Sequence, residues 1–176
     1  YSSLFNLING QPNSFATLAH PDSEDYSNLA GSPYNVSADN AIVGMALESG
    51  PAFSTDTTYS DFPTSLAFMD YYRTMLAKGY HLGAQVDGDN HYFTFGKQST
   101  NRMAVLAVSK TRADLVSAIK EMRFYATNDC NVKLDYKCYS NEMGSSLVHA
   151  GLPTLTINVN DPDLETVDSI YIYGGK

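Results

Sequence analysis

The sequence predicts an α/β chain in two parts. Residues 1–127 alternate buried strands with amphipathic helices, and residues 128–176 form a small antiparallel β module. Two observations carry the first part. Ala41–Leu47 and Met103–Val108 are short continuous apolar runs of the kind covered on both faces, and each is followed by a helical pattern. One observation carries the second part: after residue 128 the 3.6-residue period disappears and strand-like runs separated by turns take over.

In chain order, Tyr1–Asn9 fits a short helix and Gly10–Asn13 a turn. Ser14–Ala19 reads as a buried strand ended by His20-Pro21, because proline cannot continue a central ladder and holds its predecessor extended. Asp22–Asn40 is a polar loop with room for one helical turn. Ala41–Leu47 is the next strand, with Glu48 at its carboxyl end, and 52–63 is a second polar loop. Thr64 can cap a helix over Ser65–Lys78, with Gly79 as its stop and a stripe of Leu66, Met69, Tyr72 and Leu76. His81–Val86 then alternates as a strand, breaks at Gly88, and presents Asp89 and His91 two residues apart. After Met103–Val108, Thr111-Arg112-Ala113-Asp114 is a capping box opening a helix to about Arg123. In the β module, Val132–Tyr139, Thr154–Val159 and Ser169–Tyr173 read as strands. Asp161-Pro162-Asp163-Leu164-Glu165 lacks the spacing and central glycine of a calcium loop and reads as an acidic turn.

Composition narrows the function. Nineteen acidic against eleven basic residues give a net charge of −8, which argues against nucleic acid or an anionic membrane as partner. No apolar run is long enough to span a bilayer. Abundant Tyr, Asn, Ser and Thr with sparse Lys lean towards an exported protein, periplasmic or extracellular, over a cytoplasmic one. Cys130 and Cys138 flank a run that alternates like one strand. Extended, it spans about 26 Å, whereas a disulfide needs Cα atoms within about 7 Å, so the two pair only if the run folds back as a hairpin.

The chemistry gathers at strand ends. His20, Glu48 and the Asp89/His91 pair each follow a different strand, and parallel strands alternating with helices bring their carboxyl ends to one face. Imidazole and carboxylate are common ligands of divalent metals, which lower the pKa of bound water and offset charge developing on a substrate. His81, opening a strand, reads as structural, and His149, in a Ser-rich turn, as exposed.

Several motifs, in order, resemble the polymerase-and-histidinol-phosphatase (PHP) metallohydrolases, in the branch with a C-terminal β module. Leu18-Ala19-His20-Pro21 is similar to their "AHP" segment and Gly88-Asp89-Asn90-His91 to their "SD-x-H" segment. Arg123-Phe124-Tyr125-Ala126-Thr127 resembles "R-x-Y-A-T", and Asn141-Glu142-Met143-Gly144 resembles "N-x-x-M-G". The resemblance implies that residues 1–127 are part of a distorted (β/α)7 barrel. It implies up to three divalent metals (zinc, manganese or iron) and hydrolysis of a small phosphoester by a metal-bound hydroxide. His20, Asp89 and His91 would be metal ligands, and Asp89 and His91 would serve catalysis. Glu48 and Arg123 have no secure counterpart in the family's motifs and are weaker candidates for touching substrate or supporting the ligands. The family's early His-x-His is missing, so the chain is expected to represent the C-terminal part of the enzyme, inactive until a missing N-terminal portion or a second chain completes the barrel. Two other readings stand beside this one: a degenerate, non-catalytic binding protein on the same fold, and an exported surface or carbohydrate-associated structural protein.

Overall fold

A computed structural model describes all residues except 23, 27, 63–67 and 175–176. The helices are α1 (Ser2–Asn9), α2 (Val36–Ala41), α3 (Met69–Ala77) and α4 (Arg112–Lys120). The strands are β1 (Ala16–Leu18), β2 (Ile42–Ser49), β3 (Gly83–Asp87), β4 (Arg102–Val105), β5 (Phe124–Thr127), β6 (Lys133–Cys138), β7 (Asn141–Glu142) and β8 (Leu155–Asn160).

The site rests on a three-stranded parallel sheet in the order β1-β2-β3. The central strand, β2, is the most continuous apolar run and is buried along most of its length. Leu18, Ile42, Met45 and Leu82 meet Phe5 of α1, Ala38 and Ala41 of α2, and Met75 and Tyr80 of the α3 hairpin in one core. α2 starts at Asn35, whose side-chain oxygen accepts from the amides of Ser37 and Ala38. Gly79, at φ 96°, ends α3 in the left-handed region that a side chain resists. The buried residue of α3 is Met75, while Leu76, placed on the stripe by sequence, is 42% exposed. The expected cap Thr64 and stripe residue Leu66 lie outside the described residues.

The expectation of a (β/α)7 barrel fragment is overturned. Among the described residues the strands form three separate small sheets of three, two and three strands, and none closes. The decisive departure is β4–β5, which pairs antiparallel with Arg102 opposite Thr127 and Val105 opposite Phe124. A barrel needs each strand to return parallel after its helix. Here α4 is only nine residues long, and Met122, at φ 55°, reverses the chain directly behind it. Arg123 N–H closes onto Ala118 O, Leu106 N–H closes onto Arg123 O, and the chain runs back along β4.

α4 begins with half a capping box. Thr111 Oγ1 accepts from the Asp114 amide, but the Thr111 amide donates to Ser109 Oγ instead of to Asp114. The Asp114 carboxylate takes the hydroxyls of Ser109 and Thr111. In the third sheet β6 is central, antiparallel to both β7 and β8. The strand expected at Ser169–Tyr173 does not form; Ile170, Tyr171, Ile172 and Tyr173 are all more than half exposed, and Arg73 lies 5.0 Å over the Tyr173 ring. Cys130 and Cys138 are unpaired thiols.

Candidate metal centre

The sheet register explains how three distant segments meet. In the parallel ladder, Glu48 lies beside Val86 and Ser49 beside Asp87, so β2 and β3 end together. The Gly50 amide donates to Asp87 O, and the His91 amide donates to Ala52 O, which ties the loop after β3 to the loop after β2. On the other side, the Tyr26 hydroxyl holds Ala19 O at 2.7 Å and fixes the end of β1 just before His20.

The result places the three residues singled out as ligands near one another without closing them into one site. His20 Nε2 lies 4.0 Å from Asp89 Oδ1, and His91 Nδ1 lies 3.9 Å from the same oxygen. All three side chains are partly exposed and can be reached from solvent. His91 Nδ1 is also 2.6 Å from Asp89 O. A carbonyl only accepts, so Nδ1 carries the proton, and the lone pair is on Nε2, not on the nitrogen that faces Asp89 Oδ1. The Phe53 ring packs on that imidazole at 4.7 Å. His20 and Asp89 both have left-handed backbones, φ 31° and 44°, an uncommon state outside glycine that His and Asp tolerate better than most.

Two imidazoles and a carboxylate suit a transition metal. The ligand atoms of the three do not all lie within 4.8 Å of one another, so the side chains would have to move together before one ion could touch all of them.

Around it the walls are polar and ordered. A cavity of about 430 Å³ runs from Asp89 along Asp87, Asn90, Gln98, Asn101 and Arg102. Gln98, 2% exposed, donates to Gly88 O and accepts from Asn90 and Thr94, which holds the loop carrying Asp89 and His91. Asn90 Oδ1 and Ser49 Oγ are buried without a hydrogen-bond partner among the described residues. Burial pushes the Asp87 carboxyl above its ordinary range and the Asp89 charge adds to that, against the Gln85 amide and the His20 imidazole.

The weaker candidates fall elsewhere. Glu48 is 2% exposed and its Oε2 accepts from Asn101 Nδ2 at 2.9 Å. It supports the loop leading to Arg102 from inside. Arg123 sits by the Val105–Phe124 end of the β4–β5 ladder, the end opposite Arg102, and pairs with Glu121 at 2.6 Å; it does not join the cluster. His81 is bound to Asp39 through its amide and its ring Nδ1, and His149 stacks on Tyr139 at the surface.

A second group was not expected. Asp129, Asp161 and Glu165 bring ligand oxygens within 4.8 Å of one another and could hold a metal ion; among the described residues this is the one set of three that does so. The sequence signal was the alternation of carboxylates at 161, 163 and 165. Its partner, Asp129, lies a whole hairpin earlier, and no local spacing points to it. Carboxylates alone favour a hard cation over zinc.

Comparison with protein-family models, with curated proteins and with solved structures finds no match to this chain. Among the described residues, no helix is long and apolar enough to cross a membrane.

Proposed function

We propose that this chain carries part of the site of a metal-dependent hydrolase, with a phosphoester as substrate. The observation that carries the reading is the approach of His20 Nε2 to Asp89 Oδ1, at 4.0 Å, from a loop far away in sequence, with His91 beside Asp89 on the same loop. The His20 and Asp89–His91 segments resemble those of PHP metallohydrolases, although the barrel that resemblance implies does not form among the described residues. A bound zinc, manganese or iron ion would supply Lewis acidity, making water nucleophilic near neutral pH and offsetting charge on the phosphoryl oxygens.

The chain's own residues would do the rest. His20, Asp89 and His91 would hold the cation. The carbonyl of Asp89 fixes the His91 tautomer, and the Phe53 ring restricts the imidazole's swing. Three donors fill at most part of a coordination shell, so further ligands come from solvent, substrate or another segment.

Elemental analysis of purified protein tests the reading. The expected result is bound transition metal that is lost in Asp89→Ala and in His91→Ala but kept in Asp161→Asn, which touches the separate acidic group. Unchanged metal in both of the first two variants rules the reading out.

A further inference from the structure

We infer that Arg102 is the anion-binding residue of this site and takes two oxygens of a substrate phosphoryl group through its guanidinium fork. The inference rests on the metal-hydrolase reading for calling that anion the substrate's phosphate.

Three features of Arg102 point there. First, its guanidinium is anchored but not neutralised. Nη1 donates to Ser99 O at 2.8 Å and to Asn101 O at 2.7 Å, both uncharged backbone acceptors. The Tyr59 ring lies 5.5 Å from Cζ and backs the cation without cancelling it. Among the described residues Arg102 has no carboxylate partner, whereas Arg73 pairs with Asp70 and Arg123 with Glu121. A partly buried, unpaired cation is disfavoured, and more so where an anion never arrives.

Second, its remaining donors are free and pre-oriented. Nη2 and Nε have no hydrogen-bond partner among the described residues. Because Nη1 is held by two carbonyls, little side-chain entropy remains to be lost when an oxyanion docks. A planar pair of N–H donors matches two oxygens of a phosphate bidentately.

Third, it lines the same cavity as Asp89. Of the three proposed ligands, Asp89 borders this cavity, so a phosphoryl group in it would lie between Asp89 and the guanidinium. Asp87 and Asp89 also border the cavity, so an anion meets repulsion unless a divalent cation sits between. Phosphate and metal should therefore strengthen each other's binding.

The test is titration with inorganic phosphate, with and without Mn²⁺, followed by calorimetry and by the arginine Nε–H signals of ¹⁵N-labelled wild type. One Nε signal is expected to move on saturation, and Mn²⁺ is expected to tighten phosphate binding. Arg102→Gln should weaken it about tenfold or more, with Arg102→Lys in between, since a charge-assisted fork is lost in steps. Wild-type affinity in Arg102→Gln, or no arginine signal that moves, overturns the inference, the second without relying on a variant that folds. Mn²⁺ binding that is lost in Asp89→Ala, with Arg102-independent phosphate binding, sinks this inference and leaves the metal reading standing. Arg102-dependent phosphate binding with no Mn²⁺ binding does the reverse. Absence of saturable phosphate binding under both conditions overturns the role of Arg102.

Discussion

His20 Nε2 and Asp89 Oδ1 face each other across 4.0 Å, each on a residue with a left-handed backbone. That distance is too long for a hydrogen bond, so the pair gains little from being held together. Left-handed backbone on a non-glycine residue costs roughly 1–3 kcal/mol. Two such residues opposed, without a direct bond between their side chains, fit the proposal that an ion sits between them.

Asp89→Asn should therefore separate stability from binding. Asparagine tolerates the same backbone and removes a negative charge beside Asp87. Metal-stripped Asp89→Asn is expected to melt at or above the wild-type temperature. In excess Mn²⁺ the wild type should gain stability by mass action, about 2.7 kcal/mol at a hundred times Kd, and the variant should gain less, any remainder coming from the separate acidic group. Melting curves of both proteins, with and without Mn²⁺, decide it; an equal Mn²⁺ shift in the two would contradict the assignment of Asp89.

Phe53 should matter to His91 and hardly at all to the fold. Its ring packs on the imidazole at 4.7 Å yet is 69% exposed. Phe53→Ala is expected to change the stability of stripped protein by less than about 0.5 kcal/mol, as surface substitutions do. Metal affinity should fall several-fold, because the imidazole then pays more rotamer entropy on binding. Competition against a chromogenic chelator measures the second quantity, and denaturant unfolding the first.

Much of this was readable from residues alone, and the gaps have physical causes. β2 and β3 were visible because a central parallel strand must be apolar on both faces and its neighbour must alternate. His20, Asp89 and His91 could be proposed as a set from sequence because each follows a strand end. The barrel failed at Met122: one left-handed residue after a short helix turns a parallel return into an antiparallel one, and no periodicity encodes that choice. Arg102 was passed over because its meaning lies in what it lacks, a carboxylate partner, which only the fold reveals. Asp129 was missed for a similar reason, since its neighbours Asp161 and Glu165 arrive by strand pairing between β6 and β8.

Asp39 makes an acid-sensitive clasp between α2 and the start of β3. Its carboxylate accepts from the His81 amide at 2.7 Å, faces His81 Nδ1 at 3.0 Å and accepts from the Tyr34 hydroxyl at 2.7 Å. Burial alone would raise the Asp39 pKa, but these hydrogen bonds outweigh it and hold the carboxyl below its ordinary value. A folded-state pKa below the unfolded one means the charged form stabilises the fold. That stabilisation is present above the unfolded pKa, near 4, and fades as pH falls through the lowered folded value. Asp39→Ala should cost about 1–3 kcal/mol at pH 7, where the His81 amide and the Tyr34 hydroxyl lose their acceptor. It should also flatten the decline in stability below about pH 4. Unfolding free energies across pH 3 to 7 for both proteins test the sign; a variant whose acid limb keeps the wild-type slope would show that the clasp is not the titrating element.

Gly83 should tolerate no side chain, and the reason lies in a partner from another sheet. A Cβ there would sit 2.3 Å from Phe124 Cζ, with two more ring atoms at 2.5 and 3.0 Å. Phe124 is 3% exposed and cannot swing away. Gly44, on the neighbouring strand, presses on the same ring at 2.8 Å, so the two glycines together form the seat on which β5 packs. Gly83→Ala is expected to cost about 1–3 kcal/mol through overpacking. Gly79→Ala is the matched control: its φ of 96° resists a side chain, but nothing lies within 4 Å, so only the backbone term of about 1 kcal/mol applies. Adding Phe124→Leu to each variant distinguishes the two causes. The double variant with Gly83→Ala should be more stable than the sum of its single changes predicts, because the smaller side chain vacates the space the new methyl needs, while the double variant with Gly79→Ala should be additive. Denaturant unfolding of all five proteins and the wild type gives both coupling energies, and additivity at Gly83 would mean that the ring contact does not limit that position.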